Sequence, residues 1–387
     1  MNAPLHSIDR PNSYIGRSVS RPNAKRLLAG RGRYVTDLML PRMLHAAFVR
    51  SPYAHARIVS IDAGDARAMP GVRLIATGED LSLICKPWLG MLDHFKGMKS
   101  SEQLPLPLDK AVWAGQAIVA VVAYTRAQAE DAAEAVVIEF EEIAPVVDID
   151  AARAAGSEII APELGTNVCF NTKIDTGGID GIFANAKHVV EGEFTFGRHT
   201  AVTMEPRAIV ADYNPSEHQL TVHHATQTPY QFQDLYSRHF SVPEANVRVI
   251  APDIGGSFGM KLHVYNEDMA VVGLSMMLGR PVKYVADRLE AFLSAIPARD
   301  HRVRARLAMD ETGAILAMDV DDVTAVGAFS SFPRTSVVEG NQVVRLIGAP
   351  YRFKNYRAEL SVVFQNKVQP SQYRAVGHPI ACAVTER

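Results

Sequence analysis

Apolar and polar positions alternate along this chain with two different periods, and the switches between them mark out strands and helices. Residues 35–49 and 57–61 read as strands, residues 65–69 as a short helical patch stopped by Pro70-Gly71, and residues 72–76 as a return to strand. Residues 117–124 are almost continuously apolar, the pattern of a strand buried on both faces. Thr125 then opens a helix with Gln128 three residues on, the spacing of a capping box, and an alanine-rich stretch leads into a strand at 136–140. Strand–helix–strand crossings in so short a span predict one α/β domain over residues 33–150, preceded by an N-terminal arm over residues 1–32.

The pattern weakens after residue 144, where Pro145, Gly156, Pro162 and Gly165 interrupt it, so residues 151–171 are expected to be a connector. A second domain over residues 172–387 follows, with strands at 189–196, 208–213, 220–224 and 247–251. Residues 266–278 have helical spacing and stop at Gly279-Arg280-Pro281, and further strands are expected at 282–285, 303–307 and 315–323. The fold class is therefore α+β, and no internal repeat suggests a solenoid.

Composition narrows the function classes without naming one. The chain has 387 residues, 48% hydrophobic and 21% charged, which excludes a disordered or collagen-like chain and suits two domains with proper cores. Lys+Arg 40 against Asp+Glu 42 leaves no basic excess to draw nucleic acid or anionic lipid. No apolar run approaches the ~20 residues of a membrane span, and the start lacks the apolar core of a secretory signal, so a cytoplasmic protein is expected. Cys85, Cys169 and Cys382 form no CxxC pair, and His223 and His224 fall on opposite faces of a strand. No metal held directly by side chains is expected, and redox chemistry requires a bound cofactor. There is no GxSxG elbow, and Asp253, Glu267 and Asp268 show no evident partners, so a hydrolase reading is weak.

Three short segments carry the candidate chemistry. A strand runs into Gly255-Gly256-Ser257-Phe258-Gly259, followed by Lys261 and a helix, so backbone amides there can approach a ligand closely. The loop is neither Walker A nor GxGxxG, and a glycine-rich turn by itself is more often structural. Gln227 lies just beyond a strand end, where an amide either points into a cleft or merely stabilises a turn. Arg374 lies in the turn-like Gln372-Tyr373-Arg374-Ala375-Val376-Gly377, where a guanidinium can fork to a phosphate or pterin, although most arginines are simply solvated.

Taken together and in order, these segments resemble the molybdopterin-binding subunit of the xanthine dehydrogenase/aldehyde oxidase family, above all its carbon monoxide dehydrogenase-like members. Gly30-Arg31-Gly32-Arg33-Tyr34, Phe48-Val49-Arg50-Ser51-Pro52-Tyr53-Ala54-His55-Ala56 and Pro70-Gly71-Val72 are similar to the family's hammerhead domain. Met204-Glu205-Pro206, Ala225-Thr226-Gln227, the glycine loop, Gly279-Arg280-Pro281-Val282-Lys283 and Tyr373-Arg374 are similar to its first molybdopterin-binding domain. The resemblance implies that Gln227 and the Phe258 amide approach oxygen ligands of molybdenum as donors, that Arg374 lies beside the cofactor, and that Gly255, Gly256 and Gly259 permit close approach. The pterin dithiolene holds the metal in that family, which fits the missing cysteine and histidine ligand set.

Departures from the family refine the expectation. Leu262 and Val376, expected in the substrate pocket, replace the glutamate and phenylalanine of purine-oxidising members, and Ala375 replaces the cysteine of carbon monoxide dehydrogenases. What the resemblance then implies is hydroxylation, with water-derived oxygen, of an electron-poor carbon in an N-heteroaromatic substrate of the pyridine carboxylate type, whose carboxylate Arg374 or Arg345 would accept. The alternatives are an aldehyde dehydrogenase of the same family, or a non-catalytic scaffold or degenerate paralogue. The family's second cofactor domain and its general-base glutamate match nothing in this chain, so a second molybdopterin-binding subunit is expected to supply that glutamate. Further expectations are a partner carrying [2Fe-2S] clusters, a FAD subunit or a cytochrome as acceptor, and a cytosine dinucleotide form of molybdopterin with Mo.

Overall fold

The apolar run that the sequence marks most strongly becomes strand Ala117–Ala123, buried at every position. A strand covered on both faces has to lie between two cores. Ala120 and Val122 enter the larger core, with Leu44, Phe232 and Met269, whereas Val119 and Val121 enter a smaller one with Ala66 and Ala132. The computed structural model describes Tyr14, Gly16 and residues 18–387, so much of the expected N-terminal arm lies outside the described residues.

Three sheets organise the described residues. The largest has the strand order Val247–Ile250, Gln219–His224, Ala208–Asn214, Val282–Val285, Leu44–Arg50, Ala117–Ala123, Val72–Ala76. Its centre is a parallel pairing of Leu44 with Val282 and His45 with Lys283, which joins the two segments that the sequence suggests are separate domains. The expected sheet of residues 33–150 is therefore not self-contained: its strands complete a sheet whose other members lie beyond residue 200. A five-stranded sheet has the order Val168–Asp175, Asn355–Phe364, Ile315–Gly327, His301–Met309, His188–Phe196, and a small one joins Lys110–Ala111, Ala56–Asp62 and Val137–Glu142.

Local signals are realised where they are strongest. The Thr125 hydroxyl accepts the Gln128 N–H at 3.2 Å while the Gln128 side-chain oxygen accepts the Thr125 N–H at 3.2 Å, the reciprocal capping box that the spacing predicts. Helix Asn266–Leu278 ends at Gly279, whose φ of 56° is the left-handed cap that glycine favours. The long strand expected over 35–49 is instead a 3-10 turn, Val35–Asp37, an irregular stretch through Pro41, and strand Leu44–Arg50. Asp37 Oδ2 accepts the Tyr34 N–H at 2.9 Å and closes that turn, which overrides the β-branched composition. Helices Pro229–Phe240 and His378–Glu386 have no counterpart in the sequence reading. The first starts two residues after Gln227 and the second four residues after Arg374, so both fix chain direction at candidate residues.

Candidate cofactor site

The glycine loop lies beside strand end Gln219–His224 because the two exchange hydrogen bonds. The Gln227 N–H donates to the Lys261 carbonyl at 3.2 Å, and the Thr226 hydroxyl donates to the same oxygen at 2.9 Å. The Gln227 side-chain oxygen accepts the Gly259 N–H at 3.2 Å and the Ser257 hydroxyl. An N–H can only donate, so the amide must present its oxygen to the loop, and its Nε2 is left as an outward donor on an exposed residue. Ser257 Oγ also accepts the Lys261 N–H at 3.1 Å, which frees its own hydrogen for Gln227.

Phe258 occupies the tip of the loop with φ 56° and is 46% exposed. Its carbonyl accepts the Arg374 N–H at 2.8 Å, and none of the hydrogen bonds among the described residues uses its own N–H. The glycines on either side are required by the protein's own packing. A Cβ at Gly255 would lie 2.4 Å from Glu205 Cβ, and one at Gly259, with φ 104°, would lie 2.5 Å from the Gln372 carbonyl. Both therefore let the loop seat against its neighbours, which leaves the backbone amides as its ligand-facing feature.

Lys261 turns inward to a carboxylate. Its buried ammonium lies 2.7 Å from Glu205 Oε2, the oxygen that also accepts the Gly255 N–H at 2.7 Å. Burial lowers the Lys261 pKa and Glu205 opposes that. Neither this staple nor the role of Ser257 is legible in the sequence. Only the proximity of Lys261 to the loop, and Glu205 in its short motif, gave any signal.

Arg374 is exposed, and among the described residues no hydrogen bond or ion pair engages its guanidinium. Ala375 and Val376 follow with φ 74° and 50°, and backbone strain of this kind gathers at functional sites. Leu262 and Val376 are half-buried. The Phe258–Arg374 bond draws loop and turn together, so Gln227, Phe258 and Arg374 lie on segments joined by hydrogen bonds. Arg345 does not join them through any hydrogen bond; its Nε donates to Asn341 Oδ1 of its own helix at 3.0 Å.

The carboxylates that lacked partners in sequence have them in space. Asp253 takes a two-pronged contact from Arg26 at 2.6 and 2.7 Å, and Asp268 lies 3.2 Å from His224 Nε2 in the core. Glu267 is flanked by Arg50 at 2.8 Å and Arg207 at 3.1 Å. All three are structural. Among the described residues no group of three or more His, Cys, Asp or Glu is placed to hold a metal ion, and no helix is long and apolar enough to cross a membrane. A donor set of amides and a guanidinium fits a metal carried by an organic ligand and bearing oxygen atoms.

Comparison with known proteins gives the family of the two domains. Residues 29–144 match the aldehyde oxidase and xanthine dehydrogenase a/b hammerhead domain, and residues 160–387 match the molybdopterin cofactor-binding domain. The chain is 35% identical over 378 residues to the 6-hydroxypseudooxynicotine dehydrogenase complex subunit gamma of Paenarthrobacter nicotinovorans, covering 97% of this chain and 47% of that one. It superposes on quinoline 2-oxidoreductase from Pseudomonas putida 86 with a TM-score of 0.89 at 38% identity, covering 94% of this chain and 46% of that one. The nicotinate dehydrogenase large molybdopterin subunit of Eubacterium barkeri is 27% identical, with 96% and 84% covered. The chain thus spans about half the length of the first two, and most of the length of the third. On a match to the cofactor-binding domain that takes in more than half of its residues, the chain belongs to the aldehyde oxidase and xanthine dehydrogenase family of molybdopterin-binding proteins.

Proposed function

We propose that this chain is a molybdopterin-binding component of a multi-subunit molybdenum hydroxylase. It would act in the cytoplasm on an electron-poor carbon of an N-heteroaromatic substrate, with water as the oxygen source. The observation that carries this reading is the backbone and side-chain bonding that joins the Gln227, Phe258 and Arg374 segments, the Gln227 oxygen accepting the Gly259 N–H and the Phe258 carbonyl accepting the Arg374 N–H. Gln227 and the Phe258 N–H would donate to the cofactor from segments already held by their own hydrogen bonds, a positioning role. Arg374 pairs with the anionic or carbonyl edge of the pterin. When bound, the cofactor would supply the two-electron redox chemistry; the proposed partners are a [2Fe-2S] subunit and a FAD subunit or a cytochrome.

The relatives named for quinoline and 6-hydroxypseudooxynicotine favour the heteroaromatic substrate class, with pyridine carboxylates as its narrower form, and the half-buried apolar Leu262 and Val376 suit a flat ring. A second molybdopterin-binding subunit is the partner that would supply the general-base glutamate and cover the site. The surface beside the glycine loop suits that occupant. Val202, Met204, Leu289, Phe292 and Leu293 are exposed, with Met204 at 89% and Leu289 at 73%. Arg288 ties them into one patch by donating to the Thr203 and Met204 carbonyls at 2.8 and 3.3 Å, and Val202, Phe292 and Leu293 line one 740 Å³ groove. Apolar area of this kind marks a protein interface.

The test is turnover by the complex assembled with its partners, on pyridine carboxylates and quinoline against aromatic aldehydes. Hydroxylation of the heteroaromatics supports the reading; turnover of aldehydes alone replaces the substrate class, and a complex that takes up no molybdenum removes the enzyme reading. Release of cytidine monophosphate on acid hydrolysis of the loaded complex checks the cytosine dinucleotide form.

A further inference from the structure

The Arg374–Val376 turn is made of residues that resist its shape. Ala375 and Val376 both lie at positive φ, and a β-branched side chain there is strained. Such a conformation persists only where neighbours over-determine it. Arg299 supplies that constraint: its buried guanidinium donates to the Val376 carbonyl at 2.6 Å and to the Arg374 carbonyl at 3.4 Å, so one planar group spans both ends of the turn.

Arg299 is itself braced. Glu339 Oε2 accepts from it at 3.4 Å, and Glu339 Oε1 lies 3.2 Å from His301 Nε2. On the far side, His301 Nδ1 lies 3.0 Å from Asp322 Oδ1 and 2.9 Å from the Thr324 hydroxyl. Arg299, His301, Asp322, Thr324 and Glu339 are all buried. Burial works against charge on His301, but Asp322 and then Glu339 outweigh it and raise its pKa to about 10. Two basic and two acidic side chains thus share the interior behind the turn. A buried ionic cluster is no more stabilising than apolar packing of the same volume, so stability alone does not account for it.

We propose that Arg299, braced by Glu339 and His301, is a positioning residue that clamps the Arg374–Val376 turn in its left-handed shape and so sets the Arg374 guanidinium and the Val376 side chain at the cofactor site. The clamp stands on the geometry alone; its link to the cofactor rests on the proposed function.

Trypsin cleaves after arginine, and Arg374 offers its peptide bond only when the turn opens. In the purified full chain, Arg299→Gln should raise the rate at which the fragment ending at residue 374 appears by about tenfold or more, because charge-assisted bonds to two carbonyls are lost. Arg299→Lys keeps the charge without the fork and should show a smaller rise. Adding Ala375→Gly to Arg299→Gln should slow cleavage again, since glycine accepts positive φ without strain. In the loaded complex, Arg299→Gln should lower molybdenum content and raise KM, and the double variant should recover both. A folded Arg299→Gln chain cleaved at the wild-type rate overturns the clamp; if that variant does not fold, Glu339→Gln decides by the same readout. Faster cleavage with unchanged molybdenum content and KM leaves the clamp standing and removes the turn from the cofactor site.

Discussion

Lys261 Nζ and Glu205 Oε2 lie 2.7 Å apart in the interior, and the same carboxylate oxygen takes the N–H of Gly255, so one side chain fastens both ends of the glycine loop. Glu205→Ala leaves an ammonium buried without its partner and should cost about 3–5 kcal/mol. The double variant Glu205→Leu/Lys261→Met should cost less than Glu205→Ala alone, because no charge is then stranded. Urea unfolding of the variants measures the coupling, and strictly additive losses would show that the pair does not act as a unit.

Gln227 makes a different prediction, since it is exposed and holds its place through its side-chain oxygen. Gln227→Ala should leave the unfolding midpoint almost unchanged and lower kcat of the assembled complex by about 10²- to 10³-fold, the usual effect of removing one preorganised donor. Unchanged cofactor content and unchanged turnover in Gln227→Ala would falsify its role.

Glu267 joins Arg50 of the first segment to Arg207 of the second. Burial alone would raise its pKa, but Arg207 and then Arg50 outweigh it and hold the carboxyl down to about 2. A carboxylate depressed by folding contributes stability at pH above its unfolded value of about 4.3, and that contribution is lost as pH falls toward 2. Glu267→Gln should remove it at neutral pH, at about 3–5 kcal/mol, and should flatten the acid limb of a stability-against-pH curve below pH 4.3. An acid limb identical to wild type would count against this account.

The apolar patch should matter to assembly and not to folding. Leu289→Lys and Phe292→Asp alter side chains already in solvent, so thermal unfolding of the chain should hold within a few degrees. Affinity for the proposed second molybdopterin-binding subunit should fall about tenfold or more for each. Titration calorimetry reads the second quantity, and wild-type affinity in both variants would place the interface elsewhere.

Thiol chemistry gives a direct check on burial. Desolvation pushes the Cys85 and Cys169 thiols up to about 12, whereas Cys382 is exposed. A thiol-specific reagent at pH 8 should label Cys382 alone in the folded chain and all three cysteines after denaturation.

Sequence by itself determined what depends on neighbours along the chain. The Thr125 capping box, the Gly279 helix stop and the buried run Ala117–Ala123 follow from local spacing, and the ordered short motifs were enough to mark the family and three candidate segments. Tertiary structure alone decided what depends on residues far apart. It paired Leu44 with Val282 across the expected domain boundary, because a parallel pairing leaves no turn signal in the sequence between its strands. It turned Lys261 inward to Glu205 and gave Glu267 its two arginines. It also set Arg299 behind the Arg374 turn, 75 residues away in sequence. A lone arginine or glutamate looks the same whether solvated or buried, and only the packed interior, where an unpaired charge is costly, gives each one its partner.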